Sequence, residues 1–157
     1  MISNDRERRK IIRHVLDVIG ISKHKIGYIY LTAVITKAWN GLGSNKSLDE
    51  YGNEIAKEGE LFWGHMYSAM DYAIEEGWFL GNYRVMECIF GYSLSSVVTA
   101  APSPKKFING VISFLETFEK NNSDIYIFLN FIQNGGYTLN WDYSKDCKSK
   151  YWHIVYN

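Results

Sequence analysis

The spacing of apolar residues predicts helices along most of the first 120 positions. In residues 5–19 the apolar positions fall three and four apart with charged side chains between them, which is typical of a helix with one buried face. Gly20 follows, and glycine commonly ends a helix. Similar segments, bounded by glycine, asparagine or proline, predict five more helices at about residues 25–39, 47–57, 63–78, 83–90 and 105–119.

The third and fourth predicted helices form a close pair. Ser47 and Glu50 have the spacing of a capping box, in which the serine side chain opens the helix. Gly59 stands past the end of that helix, and the next helix begins near Trp63 or Gly64. Residues 47–78 are therefore predicted to form a helix-turn-helix.

The second helix of this pair has two different sides. His65, Ser68 and Asp71 are three residues apart, which places them on adjacent turns of one polar stripe. We expect these three side chains to be exposed, because the other side of the helix is apolar. That apolar side consists of Met66, Ala69, Met70 and Ala73.

The last part of the chain has a different pattern. Residues 125–132 are rich in aromatic and β-branched residues, and Asn134-Gly135-Gly136 is a hairpin turn signal. Candidate strands follow at 137–143 and 151–156, which favours a small antiparallel meander, while a helix through residues 125–132 fits the same apolar run. A strand at 125–132 would have two apolar faces, one for the helical body and one for a second copy, as in a homodimer, or for another partner.

These patterns predict a mainly α, six-helix domain containing a helix-turn-helix at residues 1–120, with a small C-terminal β meander at residues 121–157 packed on it. Apolar residues make up 46% of the 157, as in globular proteins. Cys88 and Cys147 lack metal or redox spacing, and no apolar run approaches the roughly 20 residues that cross a membrane. We therefore expect a cytoplasmic protein with reduced cysteines and no membrane partner.

Catalytic motifs are absent from the sequence. The four histidines, at positions 14, 24, 65 and 153, lack the spacing of a metal-binding helix and have no cysteine partner. The glycine-containing segment 41–46 lacks the spacing of a phosphate-binding loop, and no strand is predicted before it. We expect no catalytic residues, no metal, no cofactor and no enzymatic activity.

Several strings in the helical part occur in an order known from one family. The segment 19–31 (Ile-Gly-Ile-Ser-Lys-His-Lys-Ile-Gly-Tyr-Ile-Tyr-Leu) contains an Ile-Gly pair, a His, a Gly-Tyr pair and a Leu. The later strings are Ile55-Ala56-Lys57, Ala69, Ala73-Ile74-Glu75, Trp78, Gly81-Asn82, Phe90-Gly91-Tyr92, Pro102, Phe107-Ile108 and Leu115. Over roughly residues 10–116 the chain thereby resembles the C-terminal DNA-binding effector domain of the stage-zero sporulation protein A family.

The resemblance implies a six-helix, all-α domain of a bacterial transcription regulator. In this family the second helix of the helix-turn-helix enters the major groove of double-stranded DNA, and tandem copies switch sporulation genes on or off. The family's receiver domain does not precede the effector domain in this sequence, so control by aspartyl phosphorylation within the chain is not expected.

The recognition helix departs from the family pattern. The family's three arginines, which bind guanine and phosphate, fall on His65, Ser68 and Asp71. The family's Glu falls on Tyr67 and its His on Tyr72. From residue 58 to residue 78 there is no Lys or Arg, although five residues are acidic (Glu58, Glu60, Asp71, Glu75 and Glu76). The resemblance therefore extends to the scaffold and not to the residues that read DNA.

Two functions are consistent with the sequence. The first is DNA-directed regulation, favoured by the resemblance, with a changed target contacted by His65, Tyr67, Ser68, Asp71 and Tyr72. Other basic residues would then hold the phosphates. The candidates are Arg6, Arg8, Arg9, Lys10, Arg13, Lys23, Lys25, Lys57, Lys105 and Lys106. A solvated helix face is the commoner meaning of the N-terminal cluster, and the zero net charge of the chain is unusual for a nucleic-acid-binding domain.

The alternative is a degenerate helix-turn-helix that binds or inhibits a basic protein partner through the same helix. Aromatic residues make up 16% of the chain, and such residues are enriched at protein interfaces. The acidic residues around the helix would select the partner. The candidate anchors are Phe62, Trp63, Tyr67 and Tyr72 on the helix pair, with Tyr126 and Phe128 in the tail. Core packing is the competing role for these rings, above all for Phe62 and Trp63.

Overall fold

The computed structural model describes residues 4–91, 100–120 and 124–133. Seven helices make up most of this part of the chain. They are α1 (Asp5–Ile19), α2 (Ile26–Asn40), α3 (Leu48–Glu58), α4 (Trp63–Leu80), α5 (Tyr83–Phe90), α6 (Pro104–Lys120) and α7 (Ile125–Gln133). The protein is mainly α-helical, as predicted, and α1–α6 begin and end within about two residues of the bounds that the apolar spacing predicts.

Helix α2 lies at the centre of the fold. It packs against α1, α3, α4 and α6, and it is buried on most sides, with Leu31, Ile35 and Trp39 almost fully covered. A helix that is apolar nearly all round is stable only where other elements cover it. Trp78 of α4 and Phe107 of α6 complete the core beside it.

Two glycines allow α4 to come close to the first part of the chain. A β-carbon on Gly27 would lie 2.2 Å from the carbonyl oxygen of Ala69, so α2 and α4 touch backbone to backbone. Gly20 closes α1 with φ 112°, a left-handed conformation that favours glycine. A β-carbon on Gly20 would also lie 2.7 Å from Cα of Gly81. These contacts fix one side of α4 against α1 and α2 and leave its other side outward.

The strand predicted at residues 125–132 is wrong, because Ile125–Gln133 forms helix α7. Asp124 caps this helix, and its Oδ1 accepts hydrogen bonds from the backbone N–H groups of Tyr126 (3.0 Å) and Ile127 (3.3 Å). Ile125, Phe128 and Leu129 are buried at helical spacing, while Ile127 is 67% exposed. A continuous apolar run fits both a strand and a helix, so the capping residue Asp124 was the sequence feature that favoured the helix. The domain accordingly has a seventh helix where the meander was expected to begin.

Helix α7 packs on α1 and α5. The ring of Phe128 lies 4.7 Å from that of Phe118 and 5.7 Å from that of Phe114, measured between centroids. The predicted two apolar faces of a strand are thus replaced by one buried helix face. The turn at 134–136 and the strands at 137–143 and 151–156 fall outside the described residues. None of the described helices is long and apolar enough to cross a membrane.

Candidate functional site

The connection between α3 and α4 is a tight four-residue turn. Ser47 opens α3 as predicted, and its Oγ accepts the backbone N–H of Glu50 at 3.2 Å. At the other end, the N–H groups of Glu60 and Leu61 donate to the carbonyls of Lys57 (3.3 Å) and Ala56 (2.7 Å), which is the hydrogen-bond pattern of a Schellman motif. The residue in the left-handed conformation is Glu60, with φ 55°, and not the neighbouring glycine.

Trp63 fastens the first turn of α4 to α3. Its Nε1 donates to Oδ1 of Asp49 at 3.0 Å. A β-carbon on Gly52 would lie 2.4 Å from the Trp63 ring, so the indole lies directly on the backbone of α3. Tyr67 then meets Trp63 edge to face, with 5.7 Å between ring centroids. Both rings are partly buried, and their main contribution is to hold the helix pair together.

The two sides of α4 are divided as the spacing predicts. Met66, Met70 and Ala73 are buried together with Ile74 and Trp78, and Ala69 is half-buried against α2. His65, Ser68 and Asp71 are all exposed. The three positions onto which the family's arginines fall therefore lie on the outer side of α4.

Exposed rings follow the outer side of α4. Phe62 is 73% exposed, Tyr72 60% and Phe79 44%. The Phe62 ring meets that of His65 edge to face at 5.6 Å. His65, Tyr72 and Phe79 are seven residues apart, which places them nearly in line along the helix. We call Phe62, His65, Tyr72 and Phe79 the ring stripe.

Acidic side chains border the ring stripe. Asp71 and Glu75 are exposed, and Glu76 is half-buried. We call these three residues the acidic rim; α4 contains no Lys or Arg. Among the described residues, Lys25 contacts the stripe, with its Nζ 5.2 Å above the Tyr72 ring. This Nζ is also 3.3 Å from Oε2 of Glu76, close enough for charge attraction but without the alignment of a hydrogen bond.

Additional exposed apolar residues were not predicted as part of the site. Leu80 is 81% exposed and Leu61 43%, at the two ends of α4. On α2, Ile26 and Ile29 are 54% and 58% exposed and lie within one turn of Gly27, where α2 crosses α4. Phe79 was also missed, although its seven-residue spacing from Tyr72 was visible in the sequence.

Arg8, one of the predicted phosphate contacts, is engaged inside the fold. Its guanidinium lies 4.5 Å above the Trp39 ring and donates to Glu119 (3.1 and 3.2 Å) and to Oδ1 of Asn40 (2.8 Å). Only 15% of its side chain is exposed. This contact ties α1 to the C-terminal ends of α2 and α6, so Arg8 is poorly placed for a phosphate.

The other predicted phosphate contacts belong to elements other than α4. Arg9 pairs with Asp5 at 2.9 Å, and Lys25 is beside Glu76. The remaining residues are exposed and are distributed over α1, the loop before α2, α3 and the start of α6. They are Arg6, Lys10, Arg13, Lys23, Lys57, Lys105 and Lys106. None of these basic residues is supplied by α4.

Neither aromatic residue that was predicted to bind a partner from the C-terminal tail, Tyr126 or Phe128, is fully exposed. Phe128 is 1% exposed and belongs to the core, so the expectation that it meets a partner is wrong. Tyr126 is half-buried, with its ring centroid 5.1 Å from that of His14. Burial, reinforced by the charges of Glu7 and Asp124, raises the pKa of the Tyr126 phenol. The physical cause of both outcomes is that α7 turns these rings toward α1 and α6.

A small pocket lies beside the segment that follows α2, and two of its polar residues already have partners. The connector after α2 borders a pocket of about 160 Å³, lined by Ser44, Lys46, Tyr51 and Asn109 among others. Ligand pockets are commonly about 300 Å³ or larger. Lys46 is already paired with Glu54, and Ser44 with the Tyr51 hydroxyl. Within the described residues no group of three or more His, Cys, Asp or Glu side chains is placed to hold a metal ion.

No protein-family model matches the chain. The geometry and charge of the outer side of α4 are the features of the chain that bear on its function.

Proposed function

We propose that the protein is a protein-binding module and that its docking surface is the ring stripe with the acidic rim. One observation carries the proposal: the outer side of α4 presents large exposed rings bordered by carboxylates, with no basic residue of its own. Protein interfaces combine aromatic anchors at the centre with a polar rim. Complementary charge selects the partner and raises the rate of encounter, so an acidic rim selects a basic protein.

The same surface is unfavourable for a DNA duplex. Affinity for DNA depends on basic side chains that neutralise phosphates and release counterions. Asp71 and Glu75 bring negative charge to the side of α4 that would face the groove, and the positions of the family's arginines hold His65, Ser68 and Asp71. Guanine is read most often by arginine or lysine, and neither occurs on α4.

DNA-directed regulation is the second candidate. One observation favours it: α3, the four-residue turn and the exposed α4 have the order and lengths of a helix-turn-helix. Together with the resemblance to the sporulation effector domain, this supports descent from a DNA-binding scaffold. A scaffold alone does not fix a function.

Site-specific photo-crosslinking tests the proposal. The photo-reactive residue p-benzoylphenylalanine is placed at position 72 instead of Tyr72, and in a control chain at position 127, which is exposed on α7. We expect irradiation of cells that make the protein to give discrete protein adducts from position 72 and not from position 127. Adducts to DNA from position 72, or the same protein adducts from both positions, would contradict the proposal.

A further inference from the structure

The spacing of the ring stripe restricts the shape of whatever covers it. His65, Tyr72 and Phe79 repeat every seven residues, so each ring is about 10 Å further along the axis and the three span about 21 Å. A seven-residue repeat keeps nearly the same line of side chains facing a helix that runs alongside at a small crossing angle. The stripe therefore has the periodicity of one half of a helix–helix contact.

The residues between the rings allow side chains from a second helix to insert. Gly64 lies between Phe62 and His65 along the chain, and Ser68 and Ala69 lie between His65 and Tyr72; all three residues are small. A β-carbon on Gly64 would meet no atom within 4 Å, which makes this end of the stripe open. Large apolar side chains at every third and fourth position of a partner helix would fill these gaps as knobs in holes.

Main-chain recognition by an extended peptide is disfavoured at this surface. Strand addition requires the free edge of a sheet, and the described ranges contain no strand. The backbone amides of α4 beyond its first turn are already bonded within the helix. Side-chain packing is what the stripe offers, and an amphipathic helix is the partner element that uses it.

The acidic residues around the ring stripe indicate the charge of the helix that would bind there. Asp71 and Glu75 are exposed on α4, and Glu58 and Glu60 are exposed at the end of α3 and in the turn. A second copy docking through the same surface would bring two acidic rims together, which is destabilising. A cationic helix with Lys or Arg beside its apolar positions has the complementary charge.

We infer that the occupant of the ring stripe is a cationic amphipathic helix of another protein, at least four turns long, lying alongside α4. This inference rests on the proposed protein-binding function and adds the class of partner. The apolar positions of that helix repeat at three and four residues and contact Tyr72 and Phe79, and its basic positions face Asp71 and Glu75.

A peptide selection tests this inference without knowledge of the partner. Random 20-residue peptides are displayed and selected on the full chain, with removal of peptides that also bind the Tyr72→Ala/Phe79→Ala variant. We expect the enriched peptides to be net basic, with apolar residues at three- and four-residue spacing. Enriched peptides without that spacing, peptides that are net acidic, or no enrichment at all would overturn the inference.

Affinity measurements on a synthetic copy of one enriched peptide complete the test. We expect Tyr72→Ala to weaken binding at least about 10-fold, as for an interface anchor, and Asp71→Lys/Glu75→Lys to weaken it and reduce its salt dependence. Ile127→Ala, which removes an exposed apolar side chain from α7, is the matched control and should have no effect. Equal affinity for a scrambled peptide of the same composition would overturn the inference.

The two proposals fail in distinguishable ways. Protein adducts from position 72 together with a failed peptide selection would overturn the cationic helix and keep the protein-binding function. Absence of both would overturn the two proposals together. Thermal unfolding of each variant serves as the folding control, because it separates a loss of binding from a loss of the fold.

Discussion

At the scale of single residues, the contact between Trp63 and Gly52 sets the position of α4. The Trp63 ring occupies the space where any side chain at position 52 would begin. Protein interiors are close-packed, so even one added carbon must displace a neighbour. The outward presentation of the ring stripe therefore depends on a glycine that sequence periodicity alone does not single out.

We expect Gly52→Ala to lower the free energy of unfolding by about 1–3 kcal/mol, because the new methyl group overlaps the indole of Trp63. Gly64→Ala is the matched control, since a β-carbon there meets nothing within 4 Å. It should raise the free energy of unfolding by roughly 0.5–1 kcal/mol through reduced chain entropy. Urea unfolding measures both changes, and equal stabilisation by the two variants would show that Trp63 does not pack on α3 as described.

Tyr28 connects α1 to α2, and its surroundings predict that the fold loses stability at high pH. Its hydroxyl donates to Oδ1 of Asp17 at 2.8 Å and is 3.2 Å from the carbonyl oxygen of Arg13. Burial, with the hydrogen bond to Asp17 and the charge of that carboxylate, raises the pKa of the Tyr28 phenol well above its ordinary value. The folded state therefore keeps the proton at a pH where the unfolded chain releases it.

The sign of the pH effect follows from this difference. Above a pH of about 10, the ordinary pKa of tyrosine, the unfolded chain binds fewer protons than the folded one, so stability falls as pH rises. We expect the loss of stability between pH 9 and pH 11 to be smaller for Tyr28→Phe than for the unchanged chain, in urea unfolding at several pH values. Parallel pH profiles for the two proteins would show that Tyr28 titrates alike in both states.

At the scale of elements, most helices were predictable for two reasons. Their apolar residues repeat at helical spacing, and glycines or capping residues mark where the helices begin and end. Ser47 opens α3 and Gly20 closes α1 as their sequence positions predict. The division of α4 into a buried and an exposed side was predictable for the same reason. The strand prediction for the α7 region was wrong because a continuous apolar run fits both the two-residue period of a strand and the 3.6-residue period of a helix. The capping residue Asp124 was the signal that favoured the helix.

Other features of the site could not be obtained from the sequence. The partial burial of Trp63 and Tyr67 depends on how α3 crosses α4, which residue spacing does not determine. The engagement of Arg8 requires Glu119, more than 100 positions away, to lie beside it. Long-range pairings of this kind emerge only from the packed fold.

In the turn between α3 and α4, Glu60 has a left-handed backbone conformation that glycine adopts at lower cost. Glu60 occupies the position after the helix end with φ 55°, where a side chain costs about 1 kcal/mol relative to glycine. We expect Glu60→Gly to raise the free energy of unfolding by about 0.5–1 kcal/mol. Glu50→Gly, in the first turn of α3 where φ is ordinary, is the matched control and should lower it by a similar amount. Destabilisation by both substitutions in urea unfolding would contradict the left-handed conformation of Glu60.

At the scale of the whole molecule, charge is balanced in total and uneven in distribution. The chain has 17 basic and 17 acidic residues. The Asp and Glu residues of α4 are not accompanied by any Lys or Arg, while exposed Arg6, Lys10 and Arg13 lie on α1. A DNA-binding surface would require basic residues around the reading helix. The uneven distribution instead gives the ring stripe an acidic border, which is the basis for proposing a basic partner.

Adding positive charge to α4 should increase the affinity of the protein for DNA. We expect Ser68→Arg/Asp71→Arg to strengthen duplex binding and to steepen its dependence on salt, because two new cations contact phosphate and one repulsive carboxylate is removed. Each phosphate neutralised changes the slope of log affinity against log salt by about −0.9. Ser113→Arg, on an exposed position of α6, controls for the effect of added charge elsewhere.

The claim that α4 faces a protein and not a duplex is tested most directly by fluorescence anisotropy with duplex DNA at several salt concentrations. For the unchanged chain we expect weak binding without sequence preference and a shallow salt slope. The Ser68→Arg/Asp71→Arg variant should bind more tightly and with a steeper slope. Tight, sequence-selective binding by the unchanged chain that is lost in the double variant would contradict the proposal, because it would mean that His65, Ser68 and Asp71 read DNA themselves.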